Sequence, residues 1–192
     1  MPIKYLLTFP EYPYTPDLDH AEIDGTLPVL FGDSNKCSGD WSTAEGYGTL
    51  ATGRYAHSEG YGSIAGYAAH AEGNHTEAFG HQAHSEGSLT KAYGQTSHAE
   101  GTNTQAFAKS AHAEGQGALQ WEDVQNNKGN LTYEEYWDSI SGNDRFTMAA
   151  GIASHAEGAS TYAKGLASHA EGRATKAGAQ AHSEGVRTQA LG

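Results

Sequence analysis

Residues 98–111 read His-Ala-Glu-Gly-Thr-Asn-Thr-Gln-Ala-Phe-Ala-Lys-Ser-Ala, and they contain the repeating unit that decides the fold of this chain. The first half carries His-Ala/Ser-Glu-Gly, and the second half carries Thr-x-Ala-x-Gly or a close variant. Full copies of the first half begin at His57, His70, His84, His98, His112, His155, His169 and His182, and a degenerate ninth begins at Thr43. Most successive copies are offset by 14 in the numbering, two are offset by 13 and one by 43. A short fixed period of this kind is typical of a solenoid.

Each half of the repeat fits a short strand followed by a tight turn. Side chains alternate along a strand, so the central Ala or Ser faces one way and its two neighbours face the other. Glycine supplies turn conformations that other residues reach only at a cost, and a glycine in each half-repeat opposes a helix by about 1 kcal/mol. Two strands per repeat therefore predict an all-β chain, a flattened parallel β-solenoid lined by Ala, Ser and Thr.

The irregular intervals support this register. Both of the shorter intervals lack the residue between Ala and Gly in the second half, at Ala65-Gly66 and Ala177-Gly178, which indicates a permitted turn variant. The interval of 43 holds about 29 extra residues, and the pattern resumes at Thr147. We expect an insertion in one turn, with no slippage of the repeat.

The apolar content indicates an oligomer. Much of the 37% hydrophobic fraction is Ala, and burying a methyl group contributes little at about 25 cal/mol per Å². A monomeric globule of this size normally holds a larger apolar core. We expect the missing burial to come from other copies of the chain, and a homotrimer packs three thin solenoids well around one axis.

The stretch Ser97-His98-Ala99-Glu100-Gly101, followed by Thr104-Gln105-Ala106-Phe107, resembles the head repeats of trimeric autotransporter adhesins of the YadA type. The His-Ala-Glu-Gly form also resembles repeat tracts in bacteriophage tail-fibre and appendage proteins. The resemblance covers Trp41 to Gly192 apart from the insertion. It implies a left-handed parallel β-roll of three chains side by side. Unlike the adhesins, this chain has His and Glu at positions flanking the central Ala that are often apolar there.

Several features bear on localisation and partners. The first ten residues are too short and too rich in proline for a secretory signal, and no apolar run approaches the length of a membrane span. The single cysteine, Cys37, allows no intrachain disulfide framework. A net charge of −12 argues against nucleic acid as a partner. We therefore expect a protein made in the host cytoplasm and built into a virion.

The chain divides into four segments. Residues 1–40 hold all five prolines and several tyrosines, and they form either an irregular cap over the first coil or an attachment arm for another virion protein. Repeats fill residues 41–115 and 147–192, and the insertion fills 116–146. Within it, Leu131 to Gly142 predicts a short helix with Thr132 as its N-cap.

The insertion offers candidates for recognition of a host-surface glycan. Aromatic rings stack on sugars and acidic side chains accept hydrogen bonds from hydroxyl groups. The candidate receptor-binding residues are Trp121, Glu122, Asp123, Tyr133, Glu134, Tyr136, Trp137 and Asp138. The alternative interpretation is that this aromatic face packs on the solenoid.

The repeated His and Glu flank the inward Ala or Ser, so we expect them to point outward and to stack into two columns. We call these columns the histidine–glutamate ladder; it comprises His57, Glu59, His70, Glu72, His84, Glu86, His98, Glu100, His112, Glu114, His155, Glu157, His169, Glu171, His182 and Glu184. The favoured hypothesis is a trimer interface in which His of one chain bonds Glu of its neighbour, which would raise the histidine pKa and make stability fall as pH climbs past it. The alternatives are a solvent-facing ladder, or three histidines around the axis that hold a cation. Catalysis is disfavoured because eight identical sites provide no special environment.

The second half of the repeat predicts two further columns. Phe79, Tyr93 and Phe107 share one outward position, which indicates an aromatic seam between chains or under the insertion. The threonines resemble those of ice-binding solenoids, but with one Thr per strand we expect them to turn inward; they are Thr76, Thr90, Thr104, Thr161, Thr175 and Thr188.

These observations favour a structural, trimeric fibre protein of a bacteriophage, with host attachment through the insertion. We expect no catalytic residue, no cofactor and no metal site. Two alternatives stay open: the head of a secreted trimeric adhesin, and a tailspike glycan depolymerase, which needs a carboxylate pair in a groove.

Overall fold

The chain forms a parallel β-solenoid, as the repeat predicts. The computed structural model describes residues 22–23, 28–117 and 146–192. Within these ranges there is no helix; each regular coil contributes one five-residue strand to a 10-stranded sheet and one shorter strand to an 11-stranded sheet. The predicted helix at 131–142 and the glycan candidates of the insertion lie outside the described residues.

The strands are numbered along the chain. The sheet of five-residue strands contains β2 (Val29–Asp33), β4 (Thr43–Tyr47), β6 (His57–Tyr61), β8 (His70–Asn74), β10 (His84–Ser88), β12 (His98–Thr102), β14 (His112–Gln116), β16 (His155–Ala159), β18 (His169–Arg173) and β20 (His182–Val186). The sheet of short strands contains β1 (Glu22–Ile23), β3 (Lys36–Cys37), β5 (Leu50–Ala51), β7 (Ile64–Ala65), β9 (Glu77–Ala78), β11 (Lys91–Ala92), β13 (Thr104–Ala106), β15 (Thr147–Ala149), β17 (Tyr162–Ala163), β19 (Lys176–Ala177) and β21 (Gln189–Ala190).

Register is kept along the whole solenoid. Across the first of the shorter intervals, His57 still pairs with His70. In a full-length coil the N–H groups of Phe79 and Gly80 both donate to the Ala92 carbonyl, at 3.0 and 3.2 Å, whereas in the shorter coil Gly66 alone donates to Ala78, at 2.8 Å. The missing residue is therefore lost from the turn, and the prediction of a turn variant is confirmed.

The strands on either side of the insertion pair as if it were absent. Thr104 of β13 pairs with Thr147 of β15, and His112 of β14 pairs with His155 of β16. The strands before and after the insertion are therefore in register, which confirms that the repeat resumes without slippage.

The solenoid begins earlier than the repeat count indicated. Val29–Asp33 pairs with Thr43–Tyr47, and Lys36–Cys37 pairs with Leu50–Ala51. These residues have no His-x-Glu-Gly motif, but Gly32 matches Gly46, and buried Cys37 takes the place of the usual Ala. A further coil therefore lies within the segment 1–40, so its last residues belong to the solenoid rather than to a separate arm or cap.

The interior is built from small side chains. In the coil of residues 84–97, Ser85, Thr90, Ala92 and Ser97 all point inward and are at most 2% exposed. In this coil each of these hydroxyl groups has a hydrogen-bond partner: Ser85 and Thr90 share a hydrogen bond of 2.8 Å, and Ser97 donates to the Gly94 carbonyl at 2.7 Å. The threonine column is buried from Thr76 to Thr175, so the prediction that it turns inward is confirmed, and it offers no ice-binding surface.

Glycine is required where the strands of neighbouring coils come closest. Gly101 has φ 103°, and a Cβ added there would lie 2.1 Å from the Gly115 carbonyl oxygen of the next coil. The same contact recurs from Gly32 to Gly172, which explains why the first half of these coils ends with Gly.

Candidate functional site: the histidine–glutamate ladder

The ladder lies on the outer face of the sheet of five-residue strands. Each histidine is the first residue of its strand and each glutamate is the third, so both point away from the buried residue between them. Neighbouring imidazole rings stack with centroids 4.6 to 4.9 Å apart and planes within 10° of parallel. The two predicted outward columns are therefore present in the single chain.

The ladder has a defined N-terminal end. Glu45 extends the glutamate column by one coil, beside Thr43 in the position of the histidine. One coil further, the corresponding residues are Val29 and Phe31, which are 40% and 37% exposed. The ionisable columns thus give way to an apolar patch at this end.

Most ladder histidines have a buried ring nitrogen with no hydrogen bond. Within a coil the Nε2 atom faces the carboxylate of the same strand at 3.4 to 3.9 Å, for example 3.4 Å between His112 and Glu114, which is too long for a good hydrogen bond. The exception is His57, whose Nε2 lies 3.2 Å from Glu45. The buried Nε2 atoms without a partner belong to His70, His84, His98, His112, His155 and His169. Buried polar atoms in proteins are normally paired, so this row of nitrogens calls for a partner.

Burial and repulsion between neighbouring imidazolium charges favour the neutral form of three ladder histidines. Burial, followed by the charge that the adjacent histidines would carry, lowers the pKa of His70, His112 and His169 below the usual value. In the single chain the histidine pKa is therefore lowered, whereas a hydrogen bond to a glutamate of another chain would raise it. Among the carboxyls, hydrogen bonds with Glu45 and Glu72 raise the pKa of Glu59 to about 7, while the Glu59 hydrogen bond lowers the pKa of Glu45.

A shallow groove follows the glutamate column. It has a volume of about 370 Å³ and is lined by Glu59 and Glu72 together with Gly60, Gly73 and Gly87. Because the glycines have no side chain, the backbone forms the floor of the groove and the carboxylates form its wall. This surface can accept a cation or a complementary chain, but it contains no nucleophile beside a base.

The predicted aromatic column is present on the other sheet. Phe79, Tyr93 and Phe107 stack with centroids 5.5 and 5.4 Å apart. The Tyr93 hydroxyl donates to Glu77, and burial together with this hydrogen bond raises the pKa of Tyr93. Since the ring faces are turned toward each other, they present edges to solvent and leave little face for a sugar.

Other exposed aromatic residues were missed by the sequence analysis. Tyr47 and Tyr61 stack at 5.4 Å at the end of the five-residue strands, and each is about half exposed. Trp41, Tyr55 and Tyr67 are similarly exposed at the opposite turn. Their recurrence once per repeat in the N-terminal coils was visible in the sequence and would have identified both groups.

In comparisons with known proteins, no protein-family model and no curated protein matches this sequence. In the described residues, no helix has the length and apolar character that a membrane span requires.

Proposed function

We propose that the chain is a structural segment of a bacteriophage fibre or appendage, in which three copies, each a left-handed parallel β-roll, form a homotrimer. The observation that carries this proposal is the interior, which consists almost entirely of Ala, Ser and Thr. Such an interior buries little apolar area for a chain of 192 residues. Neighbouring copies are the natural source of the missing burial, and the choice of three rests on the resemblance to YadA-type heads.

The ladder is the face that we place at the interface between chains. Its rings keep a spacing of 4.6 to 4.9 Å over eight copies of the repeat, and its unpartnered nitrogens and partly exposed carboxylates suit a repeating contact. A repeating polar contact fixes the register of chains better than a uniform apolar seam, which can slip. A structural role also agrees with the repetition itself, since a catalytic site needs one distinctive environment.

Light scattering on the purified chain tests the assembly. A trimer of the 20.3 kDa chain has a mass of roughly 60 kDa. Substituting Glu72, Glu100 and Glu157 by Lys should dissociate it if the ladder is buried between chains, because like charges would then face the histidines. The control substitutes Gln189, which is exposed on the opposite sheet, by Lys, the residue that Lys176 already places at the same position of the preceding coil. A mass equal to that of a single chain at all concentrations contradicts the trimer.

We further propose that the chain resides in the virion, that residues 1–40 contact another virion protein, and that the insertion contributes to attachment to a host-surface glycan. The glycan proposal concerns Trp121 and Trp137, which lie outside the described residues. Replacing both by Ala should abolish binding on a glycan array, whereas Tyr55→Ala, in the N-terminal coils, should not. Equal binding by the unsubstituted chain and both variants would remove the insertion from recognition and leave the structural role intact.

A further inference from the structure

We infer that the ladder binds divalent transition-metal ions, and that the best site lies on the two coils joined by the insertion. Its ligands are His112 and Glu114 on β14 and His155 on β16. The inference uses atoms of one chain only and does not depend on the proposed trimer. It differs from a cation held by three histidines around an axis.

The two ligands within one coil already have the spacing that a tetrahedral ion requires. Zinc bonds of about 2.0 to 2.1 Å to nitrogen and oxygen place neighbouring tetrahedral ligands roughly 3.3 to 3.5 Å apart. The Nε2 atom of His112 lies 3.4 Å from Oε2 of Glu114. This distance is the shortest of the His–Glu distances within one coil among the described ion pairs, and Glu114 is the least exposed carboxylate of those pairs, at 28%.

The second histidine is close enough to reach the same ion after a small rotation. The rings of His112 and His155 stack at 4.7 Å with planes 2° apart, and one nitrogen of each ring together with a Glu114 oxygen forms a group whose atoms all lie within 4.8 Å. The two nitrogens lie within 4.8 Å of each other, so they must approach by at most about 1.4 Å to reach the tetrahedral spacing. The Nε2 atoms of both rings make no hydrogen bond, so this movement breaks none of theirs.

The charges beside the site favour a cation. The carboxylates of Glu114 and Glu157 lie opposite each other in neighbouring strands, and a divalent ion bound there would offset their mutual repulsion.

The donor set selects the class of ion. Two imidazole nitrogens and one carboxylate oxygen, with water as a fourth ligand, suit Zn²⁺, Co²⁺, Ni²⁺ or Cu²⁺, whereas Mg²⁺ and Ca²⁺ prefer oxygen ligands alone. Similar groups recur along the ladder, for example His70 with Glu72 and His84. Because each ring offers one Nε2 atom and each ion takes two rings, the eight histidines can hold at most four ions per chain.

Isothermal titration with Zn²⁺ at pH 7.5, repeated with Co²⁺ to record its visible absorption, tests the inference on the full chain. We expect saturable binding of one to four ions per chain and the intense absorption of tetrahedral Co²⁺. His112→Thr should remove about one ion per chain or weaken that site at least tenfold. Thr is a suitable replacement because Thr43 occupies the same position in β4 without disturbing the strand. His81→Thr is the control, since His81 is an exposed histidine outside the ladder.

Three results would overturn the inference: no saturable zinc binding, octahedral Co²⁺ only, or equal loss of zinc in the His112→Thr and His81→Thr proteins. Circular dichroism of each variant verifies that the sheets are intact. Should His112→Thr fail to fold, Glu114→Gln provides a second variant, because it keeps the shape of the side chain and removes a charged ligand. Unchanged zinc binding by a folded Glu114→Gln protein would also overturn it.

Discussion

Substituting Gly101 by Ala tests the close approach of the coils most directly. The new Cβ would lie 2.1 Å from the Gly115 carbonyl oxygen, while real Cβ atoms essentially never come within 3.0 Å of such a neighbour. Relief requires β12 and β14 to separate by about 0.9 Å, which stretches the hydrogen bonds that join them. The backbone at φ 103° adds strain of about 1 to 3 kcal/mol for any residue with a side chain. Together we expect a loss of about 4 kcal/mol or more.

Gly48→Ala is the matched control. Gly48 has φ 64° and no atom within 4 Å of an added Cβ, and the same turn position holds His75 and Leu89 at φ 53° and 58°. Alanine there should cost about 1 kcal/mol. Both proteins are compared by the urea midpoint of the circular dichroism signal.

Free energies of unfolding of the Gly101→Ala and Gly48→Ala proteins that agree within about 0.5 kcal/mol would contradict the collision between the coils. Gly185→Ala covers the case in which Gly101→Ala does not fold. Gly185 has φ 110°, but the nearest atom to its added Cβ is Thr188 Cγ2 at 3.6 Å, so this variant has the strain without the collision. It should yield folded protein, and its failure to fold would assign the requirement for glycine to φ alone.

Four further predictions follow from the interior, the ladder and the insertion. Ala99→Ser should stabilise the chain by about 1 kcal/mol, because the new hydroxyl can bond the unpartnered Thr104 Oγ1 as Ser85 bonds Thr90. Ser85→Ala should lower the free energy of unfolding by a similar amount, and both are measured by urea unfolding. A destabilised Ala99→Ser protein contradicts this prediction. The lowered pKa of His70, His112 and His169 gives stability that is present above their unfolded pKa of about 6.5 and is lost as pH falls below it, so the thermal midpoint should drop from pH 7 to pH 5. Glu59, with its pKa raised to about 7, acts oppositely, so Glu59→Gln should raise the midpoint more at pH 8 than at pH 5, and a uniform rise would contradict the assignment. Deleting 118–146 joins Gly117 to Thr147 with the spacing of an ordinary coil, so the sheets should keep their circular dichroism spectrum, and a loss of that spectrum would mean that the insertion is needed for folding.

The solenoid could be predicted from the sequence because each coil repeats the same pattern of buried small residues, outward polar residues and turn glycines. The alternation of His, Ala and Glu in residues 98–100 predicted which side chain is buried, and the shared deletion at Gly66 and Gly178 predicted a turn variant. The earlier coil at Val29–Asp33 was missed because its strand carries apolar residues where the others carry His and Glu. Gly32 and Gly39 keep the glycine positions of the repeat, but without the His and Glu two glycines are a weak indicator.

The chemistry of the ladder could be predicted only in part. Spacing gave the two columns, but the direction of each Nε2 atom depends on side-chain rotation, which the repeat does not encode. The sequence also suggests that nearby glutamates raise the histidine pKa. Burial outweighs them in His70, His112 and His169, because the carboxylates remain too far away for short hydrogen bonds.

The same unpartnered nitrogens connect the proposed interface with the proposed metal site, and protonation distinguishes the two. A partner's carboxylate bonded to Nε2 stabilises the charged imidazolium, whereas an ion bound to Nε2 excludes the proton altogether. In the single chain, burial lowers the pKa of His112 and favours its neutral form. Stability that falls as pH rises above neutrality therefore identifies assembly through His112. Stability that falls as pH decreases is expected of the chain without a partner, so it identifies a metal site only if added zinc makes that loss larger and the His112→Thr variant does not show the increase.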